Sequence, residues 1–282
     1  MNATWEGGEY PGRAAIGPAG WALAVLRGLV LAVLVFGNLA VLLLVRLVER
    51  PFFAPRRPVS PFITQFVCRN AFRVLGMGFS TTGELMRAPG AVVANHSSWL
   101  DIFALNARKR IYFVSKAEVA RWPAIGWLAR ATGTVFIDRD PRLARQQTRL
   151  FEERLQAGHK LLFFPEGTSS DGLRVLPFKP TLFQAFYSEH LREFMQVQPV
   201  AVIYHAPRGR PTAYYGWWGS MAFAPHLLTV LTAWRQGAVE LAYLEPLRVA
   251  DFSDRKALAA ECERRIRACH SARLGQGAEI GD

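Results

Sequence analysis

Cysteine is scarce in this chain of 282 residues, and the few present form no recognisable pattern. The three cysteines, Cys68, Cys262 and Cys269, are odd in number and widely spaced, so they match neither a zinc site nor a disulfide framework. Such a set favours a reducing compartment and thiols that are buried or idle. A Gly-x-Ser-x-Gly sequence is also absent, which argues against a lipid hydrolase built around a serine nucleophile.

Acidic residues are also in deficit, with 22 Asp and Glu against 34 Lys and Arg, for a formal net charge of +12. Such an excess suits either nucleic acid or an anionic membrane surface as a partner. The sequence lacks zinc-finger spacing and RNA-binding signatures, and 51% of its residues are hydrophobic, which together favour the membrane and no nucleic acid. This length and apolar content suit one sizeable core and a single catalytic domain.

One apolar stretch, residues 28–45, carries no charge, and Asn38 is its only strongly polar residue. As a helix rising about 1.5 Å per residue it would span roughly 27 Å, close to the thickness of a bilayer core. A cleavable signal peptide is disfavoured because the stretch starts late and lacks a small-x-small site after it. We expect a membrane-spanning helix; an interfacial or re-entrant hairpin is the alternative, since Gly37 and Asn38 could interrupt the helix.

Arginines follow this stretch at Arg46, Arg50, Arg56 and Arg57. By the positive-inside rule they place the C-terminal body in the cytoplasm, at the cell inner membrane. We expect four regions: a flexible N-terminus (1–20), a membrane segment (21–50), a basic linker with an amphipathic helix (51–89) and a catalytic domain (90–282). The amphipathic helix, at 62–79, has a basic face that suits a membrane surface, and packing against the core is the alternative.

From Gly90 onward, short apolar runs alternate with helical stretches, which is typical of an α/β domain whose mostly parallel sheet is flanked by helices. The predicted strands are 91–94, 111–114, 134–137, 160–164 and 199–204. The predicted helices are 101–107, 123–131, 142–157, 182–195 and 253–272. Sheets of this type place their chemistry beyond the carboxyl ends of the strands, where His96 and Glu166 fall.

His96 and Asp101 are the first candidate pair for catalysis. A histidine leaving a strand and a carboxylate five positions later can meet, the imidazole acting as a general base while the carboxylate fixes its tautomer. The alternative is purely structural: Asn95 or Ser97 caps a helix, and Asp101 lies in its first turn.

Glu166, Gly167, Thr168 and Ser169 follow a second apolar strand. Small residues there expose backbone N–H groups that can hold a phosphate or polar headgroup, and Glu166 can accept hydrogen bonds from a substrate hydroxyl or orient His96. An ordinary strand-to-loop turn is the alternative.

Two cations also stand at strand ends. Arg139, which follows 134–137, could grip an anionic headgroup, or pair with Asp138 or Asp140 at the surface. Lys116 follows 111–114 with the same two interpretations.

Taken together, four segments resemble the glycerolipid acyltransferase family over about residues 90–204. The family's His-x4-Asp block matches His96 and Asp101. Its Gly-x-x-Phe-Ile-x-Arg block matches Gly133, Phe136, Ile137 and Arg139. Its Phe-Pro-Glu-Gly-Thr-Arg-Ser block matches Phe164, Pro165, Glu166, Gly167, Thr168 and Ser170. Its Val-x-Pro-Val strand matches Val197, Pro199 and Val200. The preceding hydrophobic segment is also typical of the family.

The resemblance implies an α/β fold and transfer of a fatty acyl group from acyl-CoA or acyl carrier protein to the hydroxyl of a lysolipid. His96 would deprotonate that hydroxyl and Asp101 would orient His96. Glu166, Gly167 and Thr168 would bind the acceptor, with Arg139 beside them, and we add Ser169 and Lys116 as candidate acceptor-binding residues. No metal and no cofactor beyond the acyl donor are implied. A catalytically inactive lipid-binding membrane protein is the alternative, and the intact His96 and Asp101 argue against it.

Ser169 departs from the family pattern, because members that form phosphatidate usually have arginine there. An arginine fork suits a phosphate monoester, so its absence weakens the case for lysophosphatidic acid. Arg174 and Lys179 are candidate substitutes. The sequence from Glu166 to Lys179 looks more like the bacterial branch that acylates lyso-ornithine lipid, with 1-acylglycerol-3-phosphate or another lysophospholipid as the alternative acceptor.

Overall fold

The predicted alternation of strands and helices folds into one sheet with helices on both faces. A computed structural model describes residues 4–12, 15–122, 125–138, 142, 144–188 and 191–279. The strands are β1 (Gly78–Thr82), β2 (Gly90–Ala94), β3 (Tyr112–Lys116), β4 (Val135–Ile137), β5 (Leu161–Phe163), β6 (Gln196–His205), β7 (Ala238–Tyr243) and β8 (Leu247–Arg248). Within the described residues they pair in the order β1-β7-β6-β2-β5-β3-β4, and β8 pairs with β6.

Most strand pairs are parallel, which confirms the predicted fold class. β2 runs parallel to both β5 and β6, whereas β7 and β8 are antiparallel to β6. Val93 pairs with Phe163 of β5, so these two strands end side by side. His96 and Glu166 each lie three residues beyond this pair, and the register therefore carries both to the same edge of the sheet.

Helices cover both faces of the sheet. They are α1 (Pro18–Ala32), α2 (Asn38–Phe53), α3 (Ser60–Leu75), α4 (Leu100–Arg108), α5 (Ile125–Thr132), α6 (Ala144–Gln156), α7 (Phe223–Thr232) and α8 (Arg255–Glu279). Alternate residues of β2 serve opposite faces, because successive side chains of a strand point to opposite sides. Val92 belongs to the same apolar cluster as Phe72 of α3, while Val93 belongs to the opposite cluster, which includes Ile266 of α8. This double burial explains why β2 is a continuous apolar run.

The N-terminal apolar segment is one continuous helix from Pro18 to Phe53, rather than a hairpin. A π-helical turn, Val33–Gly37, joins α1 to α2, and the Asn38 side chain donates to the Leu34 carbonyl at 2.8 Å within it. Such an insertion into the helical hydrogen-bond ladder can bend a helix without ending it. Gly37 and Asn38 therefore do not interrupt the helix as the alternative required.

Two predicted helices differ from the structure. The one expected at 62–79 ends at Leu75, because Gly76 adopts the left-handed conformation (φ 71°), and β1 follows. β1 pairs with β7, so the sheet includes residues that the sequence assigned to the linker region.

The helix predicted at 182–195 is wrong. A 3-10 helix, Pro180–Tyr187, occupies its first half, and residues 191–194 form a turn, with 189 and 190 outside the described residues. The 3-10 period of three places Phe183 and Phe186 on one face, and both are buried in the core.

Candidate active site

His96 and Asp101 meet as the sequence predicted. His96 leaves the end of β2, Asp101 lies in the first turn of α4, and His96 Nδ1 is 2.7 Å from Asp101 Oδ2. A carboxylate at Nδ1 makes that nitrogen the protonated one, so Nε2 keeps its lone pair. Nε2 has no hydrogen bond to any described residue, and about 20% of the His96 side chain is exposed. The imidazole is thus held from one side and open on the other, as a general base requires.

Asp101 is completely buried, and its carboxylate is saturated with donors. Oδ2 accepts from the backbone N–H groups of Ser97 at 2.8 Å and Ser98 at 3.1 Å, in addition to His96. Oδ1 accepts from the Tyr204 hydroxyl at 2.6 Å. Such charge-assisted bonds compensate the cost of burying the carboxylate and fix its position.

The structural alternative for this segment holds only in part: Asp101 lies in the first turn of α4, but neither Asn95 nor Ser97 caps that helix. Trp99 is the N-cap of α4, and no side chain caps that helix. The Asn95 side chain instead makes two hydrogen bonds to the backbone of β6. Its Nδ2 donates to the Val202 carbonyl at 2.9 Å, and its Oδ1 accepts from the Val202 N–H at 2.8 Å. Asn95 therefore ties the end of β2 to its neighbour, which holds the backbone that carries His96.

Tyr204 is a site residue that the sequence analysis missed. Burial, then the Asp101 charge and its hydrogen bond, raises the pKa of Tyr204 well above its usual value. The phenol therefore remains protonated and donates to Asp101 throughout the physiological pH range. The only local signal was a hydroxyl at the end of the predicted strand 199–204, whose other residues are apolar.

Phe164 fixes the plane of the His96 ring. The two rings stack with centroids 4.0 Å apart and an interplanar angle of 12°. Phe164 belongs to the loop after β5, so the same loop that carries Glu166 also supports the imidazole. Ser170 of this loop donates its backbone N–H to the His96 carbonyl at 2.9 Å. This hydrogen bond links the first sequence block, which contains His96, to the third, which contains Glu166.

Glu166 lies beside this pair but makes no hydrogen bond to the His96 ring. Its side chain is buried, Oε1 accepts from the Leu176 N–H at 3.2 Å, and Oε2 has no partner among the described residues. Burial raises the pKa of Glu166 well above its usual value, outweighing hydrogen bonds to the His96 and Leu176 backbone that lower it. A protonated Glu166 carries an O–H group and can donate a hydrogen bond to a ligand.

Gly167 has a positive φ of 71°, a conformation that is strained for any residue with a side chain. A side chain there would also collide with Lys179. A Cβ would lie 2.7 Å from Lys179 Nζ, so the Lys179 side chain passes directly over this glycine. Thr168 accepts a hydrogen bond at Oγ1 from the Trp5 N–H at 3.3 Å. Ser169 is half-buried between Thr168 and Ser170. The third block is thus a loop in contact with a lysine and with the N-terminal segment.

The two predicted strand-end cations have different outcomes. Lys116 is the last residue of β3, half-buried at the same edge of the sheet as His96 because β3 runs parallel to β5. Arg139 lies outside the described residues. Arg174, named as a substitute cation, pairs with the buried Asp171, with Nη2 2.9 Å from Oδ2.

Residues 4–12 cross the surface of the body near the third block. Trp5 lies against Trp218, the Arg174 guanidinium lies over the Trp5 ring, and Tyr10 stacks on Trp218 with ring centroids 5.3 Å apart. The sequence analysis expected a flexible N-terminus and gave no hint of these contacts. Flexibility stays a prediction; the contacts place two aromatic side chains beside the candidate acceptor site.

The described residues contain no group of three or more His, Cys, Asp and Glu side chains that could hold a metal ion. Cys68 and Cys262 are buried, and Cys269 is half-buried. Burial raises the pKa of the Cys68 thiol to about 12, so it is not a reactive thiolate.

Comparison with known proteins points to one chemistry. Residues 79–203 match a family model described as Acyltransferase. A lyso-ornithine lipid O-acyltransferase from Rhodobacter capsulatus is 55% identical over 263 residues, which cover 93% of this chain and 95% of that protein. The lyso-ornithine lipid O-acyltransferase of Brucella abortus is 40% identical over 228 residues, 76% of this chain and 84% of that protein.

More distant similarities keep the same reaction but name another acceptor. A 1-acyl-sn-glycerol-3-phosphate acyltransferase from Neisseria gonorrhoeae is 32% identical over 203 residues, 71% of this chain and 77% of that protein. The crystal structure of the 1-acyl-sn-glycerophosphate acyltransferase PlsC from Thermotoga maritima has a TM-score of 0.63 at 22% identity, covering 90% of this chain and 96% of that one. At that identity the likeness shows the fold alone.

Proposed function

The chain belongs to the acyltransferase family and is a lysolipid O-acyltransferase, and on that premise we propose that its acceptor is lyso-ornithine lipid. The observation that carries the proposal is the high identity to the Rhodobacter enzyme over nearly the full length of both chains. Ser169 supports it independently, because the position offers no guanidinium fork for a phosphate monoester. The donor, acyl-CoA or acyl carrier protein, is a co-substrate, with no cofactor or metal in the scheme.

The reaction that we propose is direct transfer with His96 as the base. His96 Nε2 takes the proton of the lysolipid hydroxyl while its oxygen attacks the thioester carbonyl of the donor. The C–S bond then breaks as the ester forms, and the proton passes from Nε2 to the departing thiolate. Asp101 stabilises the imidazolium at Nδ1 through the 2.7 Å contact. Positioned bases of this kind contribute about 10²–10⁴-fold to the rate.

Glu166 and its loop would hold the acceptor in this scheme. The Oε2 atom lies without a partner in the described structure and next to Asp101, so a neutral carboxyl is what its surroundings favour. As a donor it can bind a carbonyl or hydroxyl oxygen of the lipid. We assign Gly167, Thr168 and Ser169 to the wall of the acceptor site, with Lys116 at its edge. Arg139 stays a sequence-based prediction for acceptor binding.

We propose that the chain associates with the cytoplasmic face of the inner membrane and that its N-terminal helix, unlike the membrane-spanning helix expected from the sequence, does not cross the bilayer. The helix Pro18–Phe53 is about 54 Å long, well beyond a bilayer core of about 30 Å, and it contacts the body near both ends. Arg27 donates to the carbonyls of Leu231 and Ala233, while Glu49 accepts from the Val59 and Ser60 N–H groups.

The N-terminal segment supports the same proposal. Trp5, which precedes the helix, donates to Thr168 of the body. A helix that crossed a bilayer would separate the two. The helix instead presents exposed apolar side chains to a membrane surface: Val25, Leu26, Leu29, Val30, Val33, Phe36, Val41, Leu43, Leu44, Leu47, Val48, Phe52 and Phe53. An in-plane helix of this kind keeps its apolar face in the interface.

Two experiments test these proposals. In the first, purified protein is offered lyso-ornithine lipid or lysophosphatidic acid at a fixed concentration of donor, and we expect efficient acylation of lyso-ornithine lipid. His96→Ala should lower that rate about 10²–10⁴-fold. His205→Ala, a control in which the lost imidazole faces Glu240, should keep it. Equal or greater use of lysophosphatidic acid would overturn the proposed acceptor.

In the second experiment, protease-cleavable tags at both termini report the topology in intact spheroplasts. Protection of both tags is expected, and cleavage of the N-terminal tag alone would establish a spanning helix.

A further inference from the structure

Residues 8–12 form the roof of a cavity of about 340 Å³. Asp171, Leu173 and Arg174 line its floor, and Pro211, Thr212 and Ala213 line one wall. The roof is held by Tyr10, which stacks on the buried Trp218 and whose hydroxyl donates to Glu6 at 3.0 Å and accepts from the Ser220 N–H at 3.3 Å. Part of the cavity lining therefore comes from a segment that the family's sequence blocks do not include.

Residues on either side of Asp171, in the floor of this cavity, contact the segment that carries His96. Ser170, which precedes Asp171, donates to the His96 carbonyl, and a Cβ at Gly172 would lie 3.4 Å from the Ser97 Cβ. From the other side, the Trp217 N–H donates to the Ser97 carbonyl at 2.8 Å. Asp171 in the cavity floor is thus flanked by two residues, Ser170 and Gly172, that contact the segment carrying His96.

Charges of both signs line the cavity. Glu9 is exposed and has no hydrogen bond or ion pair within the described residues. Arg174 uses Nε and Nη2 to bind Asp171, which leaves Nη1 without a partner in the part of the chain that the structure describes. Asp171 offsets part of the Arg174 charge, so Glu9 repels a phosphate dianion and favours a ligand with a cationic end.

We propose that this cavity is a headgroup subsite for a zwitterionic amino acid, in which Glu9 binds the terminal ammonium and Arg174 Nη1 binds the carboxylate. The inference rests on the proposed function, since ornithine acylated on its α-nitrogen keeps both a carboxylate and a side-chain ammonium. It assigns acceptor selection in part to the N-terminal segment, through a residue that is distant in sequence from the blocks around His96 and Glu166.

The test compares two acceptors that differ only in the ammonium group. Lyso-ornithine lipid and its norvaline analogue, which lacks the ammonium, are assayed with wild-type protein and with Glu9→Gln at fixed donor. Wild type is expected to show a KM about three- to fivefold lower for the ornithine lipid, the range of a partly exposed ion pair. Glu9→Gln is expected to remove that difference by raising KM for the ornithine lipid alone.

A matched variant and a second acceptor complete the design. Glu193→Gln makes the same change at an exposed site near the amino end of β6, and the ornithine-to-norvaline KM ratio is expected to stay at its wild-type value. Arg174→Gln should raise KM for both the ornithine and the norvaline lipid, which carry a carboxylate. It should not raise KM for an ornithine lipid whose carboxylate is replaced by a carboxamide. A ratio that Glu9→Gln leaves unchanged would overturn the subsite alone. Wild-type protein that acylates no ornithine lipid would overturn both this inference and the proposed function.

Discussion

Tyr204→Phe is the sharpest test of the buried network behind His96. The substitution removes one hydroxyl, and with it the 2.6 Å hydrogen bond to Asp101 Oδ1, while keeping the ring that packs against Tyr215. Oδ1 then has no donor among the described residues, inside a site where Asp101 is fully buried. Hydrogen bonds to charged groups contribute about 1.5–3 kcal/mol, so we expect the free energy of unfolding to fall by about that amount.

The effect on turnover should be smaller than that of losing the base. Ser97, Ser98 and His96 still hold Oδ2 of Asp101, so the carboxylate stays near its place but is less firmly fixed. We expect kcat to fall about three- to thirtyfold with little change in KM, against about 10²–10⁴-fold for His96→Ala. Urea unfolding and steady-state acyl transfer measure the two quantities on the same preparation.

Tyr215→Phe is the matched control. Tyr215 is as deeply buried as Tyr204, but its hydroxyl donates to Gln236 at 2.8 Å and does not contact Asp101. It should lose stability and keep kcat. Equal kcat for the two variants would refute a positioning role for Tyr204, even if both proved less stable than the wild type.

Three further predictions concern the rest of the site and the core. Ser169→Arg should raise kcat/KM for lysophosphatidic acid relative to lyso-ornithine lipid, because it restores a guanidinium fork; an unchanged ratio in the acceptor panel would contradict this. Burial raises the pKa of Glu166, so wild-type stability should fall as pH rises above 4.5, the ordinary pKa of a glutamate. Glu166→Gln should flatten that decline in urea midpoints measured from pH 4.5 upward. Burial lowers the pKa of three histidines to about 4, so the free energy of unfolding should fall as pH drops from 6.5 to 4, by at most about 3 kcal/mol for each histidine. Replacing one of them, as in His226→Gln, should reduce this loss of stability in acid. An unchanged loss between pH 6.5 and 4 would contradict the prediction. These histidines are His159, His226 and His270.

The sequence predicted what depends on local pattern. β2 and β5 were identifiable because a strand buried on both faces is a continuous apolar run. The contact between His96 and Asp101 was predictable because only five residues and one turn separate them. Parallel pairing then brought Glu166 to the same edge, as the alternation of strands and helices implied.

Contacts between distant segments were beyond the sequence pattern. Tyr204 is 103 residues from Asp101, and Trp5 is 163 residues from Thr168. Finding them requires the strand order and the path of the N-terminal segment, and neither leaves a periodic signal. The failure at 182–195 has a different cause, because phenylalanines three residues apart fit an α-helix and a 3-10 helix equally well, and packing decided between them.

The central claim is that His96 and Asp101 act as one general-base unit, and a double-mutant comparison tests it most directly. Acyl transfer to lyso-ornithine lipid is measured for His96→Ala, for Asp101→Asn and for the double variant. Residues that act as a unit are not additive, so the double variant should be no slower than His96→Ala alone. Losses that multiply, or a His96→Ala protein that retains wild-type kcat/KM, would contradict the account.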